Sequence, residues 1–480
     1  MTMTHDVQSH IAPSNGRMLH VLLRPQNMQI AADLLGLTLS FALYQVVRTW
    51  SLVDVRSFPI LDHVLVAFIS CLFWTLVFWM GGLYRDFYIR SPLDEISAVF
   101  RQTFIGSAII FLAITTTSNL SVRPVFVVYW AVLFGLITIG RLVARQVQGR
   151  LREARVIRIP TLVVGTRSHV EDLLDDLKNE PAWGYDVLGI ILLDTDRPVT
   201  VIDSIPVIGG EASLADAIQG GKIREVLVST DGAHHDRLLN ISAEAAYRGC
   251  MIKIVPDLYE IVSGQARTHQ IYGSPLIDIS PQLMQPWEEF AKRATDIIVS
   301  VLGLGIGAPI WLLVGIGVKL TSRGPMFFVQ DRVGRNGRVF RMAKFRSMTV
   351  DDKRGPTWTD KNDPRVTPFG KFIRKTHLDE IPQLWNVLKG EMSLVGPRPE
   401  QPFYVEKFTA MLPYYRRRHK VRPGVTGWWQ VKAKSNPESL EEIQQRLRYD
   451  FFYIENMSFK LDLEIMVRTV FVMLKGHGKA

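Results

Sequence analysis

Residues Lys371–Glu400 read KFIRKTHLDEIPQLWNVLKGEMSLVGPRPE, and this stretch decides what the C-terminal part of the chain is. Two carboxylates, Asp379 and Glu380, stand side by side just ahead of apolar residues at helical spacing: Ile381, Leu384, Trp385 and Leu388. Pro382 lacks a backbone N–H and is tolerated only near the start of a helix. The spacing predicts a helix that starts at Asp379 or Glu380, runs to about Lys389 and ends at Gly390. Arg374 precedes the acids, and Arg398 follows in a stiff Gly-Pro-Arg-Pro loop. The positive end of a helix dipole favours ionised carboxylates and bound phosphate alike. A lone Asp at such a place is ordinarily an N-cap, and Thr376-x-x-Asp379 also matches a capping box. Acids and arginines converging on one helix start point instead to phosphoryl chemistry.

Upstream, Phe340–Met348 carries Lys344 and Arg346 on either side of Phe345. On a strand both cations face one side, which suits a phosphate-facing pair. Before it, Arg323–Gly337 reads as strand, Gly-rich turn and strand, and contains Gln330 and Arg332. Further upstream, Lys292-Arg293-x-x-Asp296 opens the apolar stretch IIVSVLGLGIGAPIWLLVGIGVKL. That stretch is long enough to span a bilayer, but Pro309 in its middle kinks it. The residues themselves fit a kinked span or a re-entrant helix equally. Downstream, Tyr414–Arg422 (YYRRRHKVR) is either a solvated charge run or a grip for lipid phosphate. Asp450, Tyr453, Glu455 and Asn456 lie in the helical stretch that follows.

The first third of the chain is of another kind. Apolar runs at about Ile30–Val47, Val64–Tyr84, Phe104–Leu120 and Val125–Ile139 read as four membrane spans, the last two short. Six arginines between Arg141 and Arg158 follow the fourth run, which places that end in the cytoplasm by the positive-inside rule. The N-terminus then lies on the same side, and it lacks the charged-then-apolar order of a signal peptide. Asp33 is the one expensive residue within a span and is expected to face another helix or the interface. From Arg158 to Tyr272 strands such as IPTLVVG, LGIILLD and EVLVST alternate with helical segments, a parallel Rossmann-like pattern. Its first turn keeps Gly165 but lacks the second and third glycines of a dinucleotide loop, so no dinucleotide is expected there. A linker with three prolines, Gly273–Trp287, leads to the last module.

The fold class is therefore mixed membrane and α/β, in three parts: four spans in 1–150, a Rossmann-like domain in 151–272, and a catalytic α/β domain in 273–480 with its own membrane segment at about 290–320. The 480 residues are 47% hydrophobic with a net charge of +10. Such basicity beside so many apolar segments favours anionic lipid and phosphorylated substrates over nucleic acid. Cys71 and Cys250, the two cysteines, exclude a disulfide framework or a Cys-based metal site. A homodimer is the expected assembly, from the helices and the spare α/β domain.

The order KR..D, an apolar stretch broken at proline, GP.F..Q.R.G..G, KFRSM, R.....LDE.PQL.NVL.G.MSLVGPRP and RPG.TGW.QV resembles the bacterial sugar transferases, the polyprenyl-phosphate hexose-1-phosphate transferases. The resemblance is specific from about Lys292 to Lys475. The four spans and Rossmann-like domain are similar to the long, glucose- or galactose-transferring subgroup. The resemblance implies transfer of a sugar-1-phosphate from a UDP-sugar to undecaprenyl phosphate at the cytoplasmic leaflet of the bacterial inner membrane. UMP is released, Mg²⁺ is the cofactor, and the pathway is exopolysaccharide, capsule or O-antigen synthesis. It also implies a re-entrant helix at Pro309, a nucleophilic Asp379, and a Glu380 that assists the metal or the lipid phosphate, both acids being candidate metal ligands. Lys344, Arg346, Arg374 and Arg398 become candidate binders of substrate phosphate. Gln330, Arg332 and Arg422 become lipid-phosphate or structural residues. Ala308 stands where the family often has serine, and Lys432–Asn436 departs from an Asn-Gly-rich pattern. The segment SLEEIQQRLRYDFFYIENMS is closer to the glucose-type pattern. Galactose, a membrane-anchored nucleotide-sugar dehydratase and an inactive scaffold are the alternatives. The dehydratase would need a Tyr-x-x-x-Lys pair, and none of the 13 tyrosines has Lys four residues on.

Overall fold

The computed structural model describes residues 25–50, 60–85, 91–115, 123–194, 199–219, 221–230, 235–255, 276–278, 284–349, 364–432 and 439–474. The chain forms two compact units. The first contains four helices: α1 (Pro25–Trp50), α2 (Ile60–Met80), α3 (Pro92–Thr115) and α4 (Arg123–Glu153). All four are long and apolar enough to cross a membrane. The third and fourth are longer than their apolar runs, because the polar ends remain helical. Asp33 does face another helix. Both its oxygens accept from Arg141 on α4, Nε at 2.8 Å and Nη2 at 2.6 Å. The third guanidinium nitrogen, Nη1, reaches Glu95 on α3 at 2.6 Å and the Leu83 carbonyl beyond α2 at 3.4 Å. One buried arginine thus ties all four helices together.

The second unit holds the α/β sheet and the C-terminal module. Its strands are β1 (Ile159–Gly165), β2 (Tyr185–Leu192), β3 (Val201–Ile202), β4 (Ile205–Gly209), β5 (Glu225–Ser229), β6 (Met251–Ile254) and β7 (Ile277–Asp278). They lie in the order β3-β4-β2-β1-β5-β6-β7. The central pairs β4-β2, β1-β5 and β5-β6 are parallel, and the edge strands β3 and β7 are antiparallel. Gly165 is required for packing: a Cβ there would lie 1.9 Å from the Ser229 carbonyl. The helix that follows begins at Arg167, whose backbone N–H donates to Asp194 at 3.0 Å. A carboxylate thus occupies that helix start.

The C-terminal module begins with α8 (Pro286–Ile306), numbered after three helices of the α/β region, Arg167–Asn179 (α5), Leu214–Ile218 (α6) and His235–Tyr247 (α7). It continues into α9 (Ala308–Thr321), bent by 64° from α8 at the expected break. Pro309 sits in the first turn of α9, where its missing N–H costs nothing. The Trp311 indole donates to the Gly303 carbonyl at 2.7 Å, so the bend has a side-chain brace in the absence of a serine. Both ends of the pair hold the same module. Near the start of α8, Lys292 donates to the Val395 carbonyl at 2.9 Å and Asp462 at 2.6 Å. Arg293 donates to the carbonyls of Val387 and Leu388. Asp296 accepts from the Ser393 hydroxyl and the Leu394 N–H. At the far end, Val314 and Val318 of α9 pack with Phe345 and Ile373.

The core of the C-terminal module is small. Strands β8 (Phe327–Val333) and β9 (Val339–Phe345) form an antiparallel hairpin, and β10 (Ser393–Val395) pairs in parallel with β11 (Gly424–Thr426). Phe340, Met342, Leu384, Val387, Leu394, Val395, Tyr453 and Ile465 pack between them.

Replacing Arg141 by Met should leave two buried carboxylates without a cation. The expected loss is about 3–5 kcal/mol of stability in the membrane helices, typical of a buried pair broken on one side. Thermal unfolding of the purified protein in detergent would read it, and an unchanged midpoint would show that the arginine does not hold the bundle.

Candidate active site

Lys371–Glu400 folds differently from the simplest reading. Helix α10 (Pro368–Lys375) ends, His377 takes a left-handed conformation (φ 57°), and Leu378–Glu380 form one turn of 3₁₀ helix. The α-helix proper, α11, covers only Gln383–Lys389, with Pro382 as its N-cap. Gly390 (φ 82°) ends it as expected. The expected start at Asp379 or Glu380 is therefore too early. Proline's fixed φ and absent N–H set the α-helix start after it, and the acids occupy the tighter turn before it. The capping reading falls too. The Thr376 hydroxyl donates back to the Phe372 and Ile373 carbonyls, and the turn has no side-chain cap.

The two acids have different surroundings. Glu380 Oε1 accepts from Lys344 Nζ at 2.6 Å and lies 3.5 Å from Arg398 Nη2. Burial alone would raise its pKa, but Lys344 and Arg398 outweigh burial and hold it well below the usual carboxylate range. Asp379 has no hydrogen bond or ion pair among the described residues. Burial and then the Glu380 charge push its carboxyl up, against the pull of Lys344, Arg374 and His377. The result is one neutralised, ionised acid beside one uncommitted, more basic acid. His377 was not singled out in the sequence; its backbone conformation, favourable for few residues besides glycine, becomes visible only in the fold.

Four sequence candidates converge on this place: Lys344, Arg398 and the two acids. Arg374 acts on Asp379 through its charge and gives one N–H to the Met348 sulfur at 3.6 Å. Arg346 does not join them. Strand β9 stops at Phe345, so the two-residue alternation no longer applies. The Arg346 side chain, 4% exposed, donates instead to the carbonyls of Ser322 and Arg323 at the end of α9. It secures the bent helix and does not face the phosphate site. Gln330 and Arg332 are structural as well: Gln330 Oε1 accepts from Arg332, whose Nη1 donates to the Pro399 carbonyl at 2.9 Å. Arg422 makes no ion pair or side-chain hydrogen bond among the described residues.

The basic run Tyr414–Arg422 is mostly the 3₁₀ segment Pro413–Lys420. Arg418 is buried on Asp450, Arg417 pairs with Glu455, and Arg416 lies over the Tyr247 ring of α7 at 5.4 Å. Burial, reinforced by Arg418 and Arg416, pushes the His419 imidazole down to about 3, so it is neutral. Arg417, Arg418 and His419 thus serve the interior, whereas Arg416 stays exposed. Most of the departing segment, residues 433–436, lies outside the described residues; Lys432 rests over the Trp428 ring at 4.8 Å.

Mg²⁺ takes one or two carboxylates and fills its remaining positions with phosphate oxygens and water. Asp379 and Glu380 supply that number, and no group of three or more potential ligands exists among the described residues. The donor set fits Mg²⁺ shared with a substrate, and does not fit a metal held by protein alone.

The chain matches known families and proteins along most of its length. The family model for bacterial sugar transferases matches residues 287–476. A model described as a CoA-binding domain matches residues 80–256. The chain is similar to a UDP-glucose:undecaprenyl-phosphate glucose-1-phosphate transferase of Escherichia coli, with 31% identity covering 88% of this chain and 91% of the relative. It is 32% identical to the protein of the same name from Xanthomonas campestris, over 93% of this chain and 86% of the relative. An undecaprenyl-phosphate galactose phosphotransferase of Salmonella typhimurium is 28% identical over 87% and 88%. The chain is a membrane phosphotransferase and belongs to the bacterial sugar transferases.

Proposed function

We propose that this protein transfers a hexose-1-phosphate, glucose in preference to galactose, from a UDP-sugar to undecaprenyl phosphate at the cytoplasmic face of the inner membrane. The observation that carries the proposal is the asymmetry of the two acids: Glu380 is committed to Lys344 and Arg398, and Asp379 is left open and more basic. Asp379 attacks the phosphorus next to the sugar. A bond forms between its carboxylate oxygen and that phosphorus, and the bond to the bridging oxygen of UMP breaks. The phosphate oxygen of undecaprenyl phosphate then displaces Asp379, giving a lipid-linked sugar diphosphate. Arg398, 39% exposed at its side chain, stabilises charge on the phosphate in flight, and its planar fork suits that task better than an ammonium would. Mg²⁺, held by Asp379 and Glu380, would neutralise the diphosphate.

The bent pair α8–α9 supports a lipid substrate. Its two ends are fixed on one module, so it enters and leaves the bilayer by one face and keeps the site beside the headgroups. Glucose is favoured because the relatives named for glucose are 31–32% identical and that named for galactose 28%. The product would begin a surface or secreted polysaccharide.

Membranes containing the protein, undecaprenyl phosphate and labelled UDP-glucose should form a lipid-linked sugar diphosphate and UMP. Folded protein that yields neither with any UDP-hexose would overturn the proposal. Asp379→Asn should abolish turnover and prevent trapping of a labelled phosphosugar on the enzyme; turnover at the normal rate would contradict the nucleophile. The pH profile gives an independent check. Asp379 must be ionised to attack, so activity rises with pH through its pKa. Lys344 lowers that pKa, so Lys344→Gln should move the acid limb to higher pH as well as slow the reaction. An acid limb unmoved by the substitution would separate Lys344 from Asp379.

A further inference from the structure

Four consecutive backbone carbonyls around Arg398, from Pro397 to Glu400, are occupied, and side chains from distant elements occupy two of them. The Pro397 carbonyl accepts from the Gly424 N–H at 3.0 Å and the Glu400 carbonyl from the Val333 N–H at 2.8 Å. The Pro399 carbonyl takes Arg332. The Arg398 carbonyl takes Arg418 Nη2 at 2.9 Å, with Arg446 Nη2 at 3.4 Å. Pro397 and Pro399 have no N–H to offer and have fixed φ angles. With the main chain held this way, the freedom left to residue 398 is in its side chain.

We propose that Arg418 and Arg446 are positioning residues for the transfer, holding the Arg398 carbonyl so that its guanidinium faces Glu380 and the substrate phosphate. This rests on the reaction proposed above. Both arginines are buried, at 2% and 5% exposure, and each is itself clamped. Arg418 donates to Asp450 through Nε at 3.0 Å, with Nη2 in ion-pair contact at 2.8 Å, and to the Tyr415 hydroxyl through Nη1 at 2.9 Å. Arg446, on the helix Leu440–Glu455, donates to Glu400 at 2.6 Å, inside the same loop. Buried ion pairs give little net stability over apolar residues of the same volume. What these two supply that apolar side chains cannot is directed donors for one carbonyl. Neither reaches the two acids by any hydrogen bond or ion pair, so their influence passes through Arg398. A guanidinium misplaced by about 1 Å can cost about 100-fold in rate.

A double-mutant cycle tests this. Arg418→Lys keeps the charge and loses the fork that serves Asp450 and the Arg398 carbonyl together. In the full-length protein in membranes, UMP release from UDP-glucose should fall by about 10- to 100-fold in kcat, with KM for the UDP-sugar changed by less than about twofold. In an Arg398→Ala background the same substitution should cost less than about twofold, because the group it positions is gone. Equal losses in both backgrounds would overturn the proposal and make Arg418 a general structural residue. An active, folded Arg418→Lys protein with normal kcat would overturn it as well. If Arg418→Lys does not fold, the same cycle with Arg446→Lys decides by the same criteria. Wild-type protein without UMP release would instead strike the transfer reaction itself, so the two failures are distinguishable.

Discussion

The ion pair between Lys344 and Glu380 is the interaction on which the catalytic module depends. Two carboxylates on adjacent residues in a half-buried turn repel each other, and burial disfavours the charge on both. Lys344, joined by Arg398, pairs directly with Glu380 and acts on Asp379 through its charge alone, too weakly to offset burial and the Glu380 charge. Glu380 becomes a fixed anion with its charge answered, and Asp379 keeps its basicity. Pairs of titratable groups whose surroundings drive their pKa values apart are how one site supports two roles. The requirement then spreads outward. Lys344 must come from the last turns of β9, Arg398 from the loop after β10, and both must meet a turn that stands between two short helices.

Helix α8 meets that requirement from below. Its first turns fix two parts of the module at once: Lys292 and Asp296 hold β10, and Arg293 closes the C-terminal end of α11. β10 leads into the Arg398 loop, and α11 follows the acids. The helix pair apolar enough to enter a membrane is thus also the frame of the candidate site. The substrate's lipid surface and its reacting phosphate are referred to the same few side chains.

Much of this was legible in the sequence, for identifiable reasons. The four spans, the alternating α/β region and the break at Pro309 rest on periodicity and on proline chemistry, which are local. The two acids, Lys344 and Arg398 were legible because charged residues among apolar ones need partners. The misses came from tertiary structure. Arg346 was assigned by strand alternation, one residue beyond where the strand ends. The basic run from Tyr414 looked solvated or lipid-bound because its acidic partners, Asp450 and Glu455, lie more than thirty residues further on. The helix start was placed too early because sequence spacing does not distinguish a 3₁₀ turn from the first turn of an α-helix. Trp311 stood in plain view as an apolar residue; its indole N–H gains meaning only once the bend exposes the Gly303 carbonyl.

The bend at Gly307 also sets a depth. From Asp296 to Ile306 the helix rises about 15 Å, and the 14 residues of α9 rise about 21 Å, at about 1.5 Å per residue. The hydrocarbon core is about 30 Å thick. A wedge of this length, greasy on its outer side at Ile298, Leu302, Ile310, Leu313 and Leu320, would displace lipid from one leaflet and leave the other intact. Inserting volume on one side only expands that side. An anchor of this shape would therefore respond to lateral packing in the leaflet that it enters.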